Sequence, residues 1–407
     1  MTLHTIATEE ADAPDEPLRV GLVLPGGGAR AAYQVGVLRA LADLLPPRTP
    51  NPFPVVTGTS AGAINATEVA IHAERFRIAT VNLERVWRNF QVHHVFRADI
   101  GSMLRSGLHW VLSALSGGWL LPPPKSVFDN HPLRELLQAN FDFDALARSI
   151  QSGHLEALAI AAAGYSSARS LSFFEGSSDR RSWYRVRRGG ESCRLTLDHL
   201  MASVAVPFLF PPVMLGEEYF GDGSMRQATP FSAAIHLGAN RLLVIGTRND
   251  VQRVPGNALR SPTFGHIFGY MLDALFSDGL YSDLERLNQI NDLLRYTGPV
   301  HTAQSILKPV DLLVVLPSRD LSEIARQHAD SLPRTLRVFL RTIGAMNTGG
   351  SELMSYLMFQ GSFTRELIAL GYRDAMDRSH ELIAFLGGEP VQVTGATQTM
   401  MRLQSRS

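Results

Sequence analysis

Short apolar runs alternate with helical patterns along much of the chain. Residues 18–25 (LRVGLVLP) and 155–163 (LEALAIAAA) are apolar over the length of one strand apart from one charged residue near the start of each, which is typical of strands buried on both faces. Residues 29–45 instead place apolar side chains three or four positions apart, which predicts a helix with one buried face. Strands that alternate with helices indicate an α/β fold, in which helices flank a mostly parallel central sheet.

The same patterns continue towards the C-terminus. Further strands are predicted at residues 55–57, 241–247 and 310–317. A helix is predicted to begin at Thr229-Pro230 and to end before Gly238. From residue 261 onward the pattern is mainly helical, apart from the strand at 310–317.

These patterns predict four parts of the chain. In order, they are a flexible N-terminal tail at 1–17, an α/β domain at 18–317, a helical C-terminal region at 318–388 and a loose tail at 389–407. The α/β domain is expected to carry a cap-like insertion at about 90–128, where glycines and prolines interrupt the pattern. A helical insertion is expected at about 261–300.

The composition argues against several classes of protein and several kinds of binding site. The 407 residues are 45% hydrophobic, which suffices for a substantial core, and 38 Lys and Arg residues balance 38 Asp and Glu residues. A balanced charge gives no global basic field, so no nucleic-acid partner is expected. The single cysteine, Cys193, excludes an internal disulfide and a site built from several cysteines. The pair His93-His94 has no companion ligand pattern, so neither a metal nor a cofactor is expected.

The sequence shows no pattern that would place it in a membrane. Residues 1–17 are acidic and polar and lack the basic start and apolar core of a secretory signal. No stretch reaches about 18 consecutive apolar residues, so no transmembrane helix is predicted. The expected location is the cytoplasm. A peripheral contact with a membrane stays open, as does the oligomeric state.

A serine lies on a predicted tight turn within residues 55–66 (VVTGTSAGAINA). Gly58 and Gly62 lie two positions before and two positions after Ser60, between a predicted strand and a predicted helix. In a G-x-S-x-G elbow, the glycines leave room for a strained turn that exposes a nucleophilic hydroxyl. A small-residue turn that merely joins a strand to a helix would have the same local pattern.

A glycine run follows the first predicted strand, in residues 25–30 (PGGGAR). Unobstructed N–H groups at the start of a helix bind negative charge, so two functions compete for this loop. One is a nucleotide phosphate site, since residues 26–31 fit the permissive G-x-G-x-x-A pattern. The other is an oxyanion hole. The next strand, at 55–57, leads directly into the serine turn and lacks the acidic residue expected of a dinucleotide site.

An aspartate flanked by glycines completes the candidate chemistry. Asp222 lies between Gly221 and Gly223 after the strand-like pair Tyr219-Phe220, where its carboxylate could reach across a cleft. Asp-Gly is also a common turn pair, so this motif taken alone favours a plain turn.

Together, the three motifs resemble the patatin-like phospholipase family. That family carries a glycine-rich oxyanion loop with a following basic residue, a G-x-S-x-G elbow and a D-G-[GAS] motif, in that order. The corresponding stretches here are Gly26-Gly27-Gly28-Ala29-Arg30, Gly58-Thr59-Ser60-Ala61-Gly62 and Asp222-Gly223-Ser224. Residues 202–213 (ASVAVPFLFPPV) also resemble the family's segment before the aspartate. The resemblance covers about residues 18–247 and continues more weakly through 310–317.

The resemblance implies a serine esterase that degrades lipids, a lipid acyl hydrolase of the phospholipase A or lysophospholipase type, with residues 18–317 as its catalytic domain. It implies that Ser60 and Asp222 form a catalytic dyad, that Ser60 forms an acyl-enzyme, and that the substrate is a lipid ester. The implied oxyanion hole is Gly26, Gly27, Gly28 and Ala29. The implied supporting residues are Arg30, Gly58, Gly62 and Gly223. For Arg30, holding the loop is favoured over contact with a lipid phosphate.

Two other interpretations stay open. One is a nucleotide-binding α/β enzyme that uses the loop at 26–31, and the other is a non-catalytic patatin-like protein with a binding or regulatory role. A Ser-His-acid triad would need a histidine after Asp222. The histidines that follow it lie in or beside helical segments rather than in a loop after a strand: His236, His266, His301, His328 and His380.

Two apolar segments are candidates for contact with an acyl chain. They are residues 104–121 and residues 263–280, the second with the cluster Phe268, Tyr270, Met271, Leu275 and Phe276. Ordinary core packing is the better interpretation for most of these side chains.

Overall fold

The computed structural model describes residues 17–97, 125–248, 261–298, 300–301, 306–347 and 350–389, with isolated positions between 101 and 119. The tails predicted at 1–17 and 389–407 lie almost entirely outside the described residues. The same is true of the middle of the insertion predicted at 90–128 and of most of the apolar segment 104–121.

The described strands are, in chain order, β1 (Val20–Leu24), β2 (Val55–Thr59), β3 (Ala157–Gly164), β4 (Ser170–Gly176), β5 (Trp183–Tyr184), β6 (Arg188–Ser192), β7 (Val213–Leu215), β8 (Glu218–Asp222), β9 (Arg241–Ile245), β10 (Val300–His301), β11 (Ile306–Leu307) and β12 (Asp311–Val315). Strands β10 and β11 pair only with each other in the described part of the chain.

The other strands form one mixed sheet. Its order is β12-β9-β1-β2-β3-β4-β6-β5, and β8 and β7 extend it beside β3. From β12 to β3 every neighbouring pair is parallel, whereas β4 and β8 are antiparallel to β3. Strands β1, β2, β3 and β9 are buried along their whole length, as expected when helices cover both faces of a parallel sheet. The predicted fold class is therefore confirmed.

The described α-helices are, in chain order, α1 (Ala32–Leu44), α2 (Ala61–Ile71), α3 (Phe76–Arg88), α4 (His131–Asn140), α5 (Phe143–Gln151), α6 (Leu197–Ser203), α7 (Ser232–His236), α8 (Phe264–Thr297), α9 (Leu321–Gln327), α10 (Arg334–Thr342), α11 (Ser351–Leu357), α12 (Gly361–Asp377) and α13 (Ser379–Leu386). Short 3-10 turns cover Gly28–Ala31, Val92–His94, Gly223–Met225 and Ala329–Ser331. Within the described ranges, no helix combines the length and the apolar character needed to cross a membrane.

The register of β3 brings the ends of β2 and β8 together. Strand β2 pairs with β3 as far as Thr59 opposite Ala161, and β8 pairs with β3 from Asp222 opposite Ala162. Both lie on the same edge of β3, because β4 occupies its other edge. Ser60 follows β2 directly. Because Ala161 and Ala162 are consecutive residues of β3, this pairing places the serine turn beside Asp222.

Helices α1 and α12 approach each other backbone to backbone. A Cβ atom at Gly36 would lie 2.1 Å from the carbonyl oxygen of Ile368, and a Cβ atom at Gly371 would lie 2.2 Å from the carbonyl oxygen of Tyr33. Only glycine permits contacts this close. Buried side chains of both helices belong to the same apolar core.

Candidate active site

Ser60 occupies a strained turn between β2 and α2. Its backbone has φ 54° and ψ −131°, a conformation that residues with a Cβ rarely adopt. The flanking glycines are needed for space: a Cβ at Gly58 would lie 2.5 Å from the Cα of Ala63, and one at Gly62 would lie 2.1 Å from the carbonyl oxygen of Leu24. The sequence therefore produces the elbow that its G-x-S-x-G pattern predicts.

Ser203, which sequence reasoning did not single out, ties this turn to the sheet. The Ser60 N–H donates to Ser203 Oγ at 2.9 Å, and the Ser203 hydroxyl donates to the carbonyl oxygen of Ala161 at 2.7 Å. Ser203 is fully buried at the end of α6, within the segment that resembles the family. Only its place in that segment could have drawn attention to it.

Asp222 is a fully buried carboxyl group at the end of β8. Its Oδ1 accepts a hydrogen bond from the Ser224 N–H at 2.9 Å, while its Oδ2 is buried and accepts none from the described residues. Burial raises the pKa of Asp222 to about 6, and the nearby hydroxyl of Ser60 lowers it in part. The Ser60 hydroxyl is thus close enough to the carboxyl to influence its pKa.

The glycine loop packs against both of the other motifs. A Cβ at Gly26 would lie 2.8 Å from Ser224 Oγ, next to Asp222, and Gly62 of the serine turn lies against the backbone that enters the loop. Gly28 has φ 52°, and a Cβ there would lie 2.5 Å from the carbonyl oxygen of Tyr356. These contacts explain why the loop consists of glycines.

The loop also presents donors at the start of a helix. Gly28–Ala31 forms a 3-10 turn that leads into α1. The N–H groups of Gly27, Gly28 and Ala29 donate to no acceptor among the described residues, whereas the N–H of Arg30 bonds to the carbonyl oxygen of Gly27 at 3.0 Å. Such N–H groups suit a negatively charged oxygen.

Arg30 is buried and held entirely by the protein. Its Nε donates to Ser355 Oγ at 2.7 Å, one end of the guanidinium pairs with Glu352, and its Cζ lies 4.0 Å from the ring centroid of Tyr356. Asp273 lies 3.5 Å from the other end, so α8 and α11 both hold the residue. These contacts occupy the guanidinium inside the fold. In the sequence, the signal for the pairing of Arg30 with Glu352 was the acidic side chain of Glu352, since the other residues of α11 are apolar or small.

A narrow apolar cavity of about 40 Å³ lies beside Ser60. Its walls include the aromatic rings of Trp87, Phe90, Phe276 and Phe359. Within the predicted lipid-contacting segment 263–280, Phe276 is buried and lines this cavity, whereas Tyr270 and Met271 are exposed. Some side chains of this cluster therefore line the cavity, and others lie on the protein surface.

The model of the patatin-like phospholipases matches residues 22–235, which is more than half of the 407 residues. The chain belongs to the patatin-like phospholipase family. No curated protein matches it. Membership of this family supports a lipid acyl hydrolase.

Two solved structures are similar to this patatin-like chain at low sequence identity. VipD from Legionella pneumophila is 12% identical, with a TM-score of 0.36, and the match covers 90% of this chain and 67% of that one. The human GIVD cytosolic phospholipase A2 is 11% identical, with a TM-score of 0.42, and the match covers 91% of this chain and 60% of that one. This chain thus spans about two thirds of the first structure and less of the second.

No described histidine bonds to Ser60 or Asp222 in this patatin-like site. His236 stacks on Trp183 with ring centroids 4.8 Å apart, His328 bonds to Glu366 at 2.7 Å, and the side chain of His301 lies outside the described residues. Among the described residues there is also no group of three or more His, Cys, Asp or Glu side chains that could hold a metal ion. Cys193 is half-buried, and burial raises its pKa to about 12, so its thiol stays protonated.

Proposed function

We propose that this patatin-like chain is a serine lipid acyl hydrolase that cleaves carboxylic ester bonds of phospholipids or related lipids. One observation carries the proposal: a strained serine lies beside a buried carboxyl whose pKa is raised to about 6 and whose second oxygen accepts no hydrogen bond from the described residues. A carboxylate of that pKa is a stronger base than an ordinary aspartate and is still ionised at neutral pH.

In the first half of the proposed reaction, Ser60 becomes acylated. Asp222 takes the hydroxyl proton while Ser60 Oγ forms a bond to the ester carbonyl carbon, and the carbonyl oxygen gains the negative charge. When the tetrahedral intermediate collapses, the bond to the leaving alcohol breaks and that alcohol takes the proton from Asp222. No histidine is required.

In the second half, water repeats the same steps. A water molecule gives a proton to Asp222 as its oxygen attacks the acyl carbon, and Ser60 then leaves with the proton that Asp222 held. The fatty acid is released and both residues return to their starting states.

The loop of residues 26–29 serves as the oxyanion hole in this proposal. The N–H groups of Gly27, Gly28 and Ala29, which have no acceptor among the described residues, point to this use. One preorganised donor of this kind is typically worth about 3 kcal/mol of activation free energy. Arg30 acts from behind the loop by fixing it to α8 and α11.

The apolar cavity beside Ser60 suits the acyl chain rather than the polar part of a lipid. Because the cavity is narrow, its aromatic walls must move to admit a long chain. The N-terminal part of α8 also exposes Phe264, Ile267 and Tyr270, and the rings of Phe268 and Phe208 lie 6.5 Å apart beside them. Since the same helix lines the cavity, we propose that this face rests on a membrane surface when the enzyme takes its substrate.

A panel of lipid esters, assayed with the wild-type protein and the Ser60→Ala variant side by side, tests the function. The wild type should release fatty acid from diacyl or lysophospholipids, and Ser60→Ala should reduce the rate by at least about a thousandfold, because the acyl-enzyme cannot form. Equal rates for the two proteins would contradict the proposal. Release from the sn-1 or the sn-2 position would separate the phospholipase A types.

A further inference from the structure

A second and larger recess opens next to the residues that follow Asp222. It has a volume of about 1040 Å³ and is bounded by the turn before β6, by the residues that follow Asp222 and by the middle of α8. Five arginines and two aspartates line it, so positive charge is in excess. We call it the arginine cleft, and its charged residues are Arg185, Arg187, Arg188, Arg226, Arg286, Asp278 and Asp283.

The arginines of this cleft are only partly neutralised within the described part of the protein, by the charge of Asp283, which acts on Arg188 and Arg286. None of the five forms a salt bridge with a described carboxylate, whereas the nearby Arg180 and Arg194 pair with Glu156 and Asp144. Arg188 donates to Thr229 Oγ1 at 2.9 Å, but its Nε is buried and has no acceptor among the described residues. The cleft thus gathers donors that a bound anion would satisfy.

The like charges of the cleft also disfavour one another. Burial and the adjacent positive charge of Arg286 lower the pKa of Arg188, Asp283 raises it in part, and Arg185 lowers it further. Asp283 also accepts a hydrogen bond from the Phe231 N–H at 3.0 Å, so its carboxylate is shared between the arginines and the backbone. A ligand with more than one negative charge would relieve this repulsion.

The cleft adjoins the proposed catalytic pair. Ser224, which lines it, lies two residues after Asp222, and two residues span at most about 7 Å of chain. Gln227, which also lines it, accepts a hydrogen bond from the Thr59 hydroxyl at 2.6 Å, next to Ser60.

Helix α8 separates the cleft from the apolar cavity. Phe276 lines the cavity, whereas Leu275 and Gly279, on another face of the same turns, line the cleft. An ester held at Ser60 would therefore have the apolar cavity directly beside it and the cationic cleft a few residues away, beyond Ser224 and Gln227.

We infer that the arginine cleft binds the head group of the lipid substrate, and that this head group carries a phosphate with more than one negative charge. The inference rests on the proposed function, since it assigns the polar end of the same substrate. Guanidinium groups bind phosphate oxygens in pairs, and only a few bonds separate an acyl ester from the phosphate of a glycerophospholipid. Arg30 is not available for this contact, because Glu352, Ser355 and Asp273 hold it.

The test compares two lipids that share their acyl chains. Phosphatidic acid, whose phosphate is a monoester, and zwitterionic phosphatidylcholine are presented at equal fraction in neutral detergent micelles. The cleft variant is the triple change Arg187→Gln, Arg226→Gln and Arg286→Gln, at exposed positions of the cleft. The control variant, Arg75→Gln, Arg326→Gln and Arg373→Gln, removes the same charge from exposed positions outside it.

The wild type should hydrolyse phosphatidic acid with the higher kcat/KM. The cleft variant should lower the ratio of the two kcat/KM values by about tenfold, and added salt should do the same for the wild type because it screens the cleft charges. The control variant should leave the ratio within about twofold of the wild type. A ratio that the cleft variant leaves unchanged, or that both variants lower equally, would overturn the inference.

Binding is measured separately, so that failure of catalysis can be distinguished from failure of the cleft. The Ser60→Ala protein should sediment with phosphatidylcholine vesicles that contain phosphatidic acid and less with vesicles that lack it. Adding the three cleft changes to Ser60→Ala should abolish the difference. If the wild type cleaves no ester but this difference is present, the hydrolase proposal fails and the cleft stands. If inorganic pyrophosphate binds while the two vesicle types bind equally, the cleft takes a soluble phosphate and the lipid assignment is wrong.

Discussion

A buried carboxyl that lacks a donor on one oxygen is costly to ionise, and Asp222 is such a group. Its Oδ2 has no hydrogen bond from the described residues, and burial raises its pKa to about 6. Ser60, beside it, holds a backbone conformation that typically costs about 1–3 kcal/mol. Both costs fall on the two residues to which the proposed reaction assigns proton transfer and nucleophilic attack.

The pKa of Asp222 predicts how the activity depends on pH. Only the ionised carboxyl can take the Ser60 proton, so kcat/KM for a short-chain ester should fall about tenfold per pH unit below about 6 and level off above it. The measurement is a rate profile between roughly pH 4 and 8 on the folded enzyme. A profile that stays flat through pH 5 would show that Asp222 is not the base.

The same pKa predicts that Asp222→Asn stabilises the protein. The folded-state pKa of about 6 exceeds the ordinary value of 3.8, so the folded protein binds the Asp222 proton more tightly than the unfolded chain does. The stability that this proton binding contributes is complete below pH 3.8 and is lost as the pH rises through 6. At neutral pH the ionised carboxyl therefore costs on the order of 3 kcal/mol, at about 1.4 kcal/mol per pH unit between the two values. Asparagine removes that cost.

Thermal unfolding of the wild type and Asp222→Asn at two pH values checks this. The variant should unfold at the higher temperature at neutral pH, and the gap should close near pH 4, where the wild-type carboxyl is protonated. A variant that is less stable than the wild type at neutral pH would show that the carboxylate has partners which stabilise its charge.

The sequence singled out Ser60 and Asp222 as candidate site residues, but it could not predict the environment of their side chains. Ser60 and Asp222 stood out because glycines flank each of them. The burial that raises the pKa of Asp222 depends on β3 and on segments distant in sequence, such as Ala205, whose carbonyl oxygen accepts from the Asp222 N–H at 2.9 Å. No local pattern carries that information.

At the scale of the elements, one buried arginine connects the glycine loop to two helices. Arg30 reaches Asp273 on α8 and Glu352 on α11, and the Tyr356 hydroxyl also donates to Asp273 at 3.0 Å. Arg248 reaches the same aspartate from outside at 3.0 Å. The arginine of the loop thus contacts helices that lie more than two hundred residues later in the chain.

Arg30→Met should destabilise the protein by about 3–5 kcal/mol, because buried Glu352 loses the guanidinium with which it pairs and Asp273 loses one of its two arginines. It should also lower kcat, since the loop would lose its anchor. Arg39→Met is the matched control, because Arg39 pairs with Asp43 and Glu84 at a more exposed place on α1 and should cost about 1 kcal/mol or less. Denaturant unfolding of both variants checks this, and equal costs would show that Arg30 does not hold the loop.

Elements with continuous apolar or helical patterns were predictable, and short edge strands were not. The strands predicted at 18–25, 55–57, 155–163, 241–247 and 310–317 correspond to β1, β2, β3, β9 and β12, and helices occupy the segments predicted to be helical beyond residue 261. Strand β6 (RGGES) carries glycines and charges, and β5 has two residues. Such strands exist because β4 offers an edge to β6 and β6 offers one to β5, which the local pattern does not reveal.

At the scale of the whole molecule, the C-terminal helices and the sheet share one core. Helix α12 meets α1 through Gly36 and Gly371, and α11 lies over the glycine loop. No motif marked this region in the sequence. Its packing depends on two glycines, one in each helix, that match only in three dimensions.

A chain that ends at residue 317 tests the predicted boundary between the α/β domain and the C-terminal region. It should fail to give a cooperative unfolding transition, because α1 would lose the helix that covers it and Arg30 would lose Glu352. Circular dichroism during heating and hydrogen exchange on α1 are the measurements. A stable, cooperatively folded product would show that residues 18–317 form an independent domain.

The most direct test of the central claim is covalent labelling with a fluorophosphonate probe, read by mass spectrometry of the peptide that contains Ser60. The probe phosphonylates a serine only when its hydroxyl is activated. The wild type should be labelled at Ser60, and folded Asp222→Asn should be labelled at least about a hundredfold more slowly. Absence of label on Ser60 in the folded wild type, or equal labelling of the two proteins, would contradict the account.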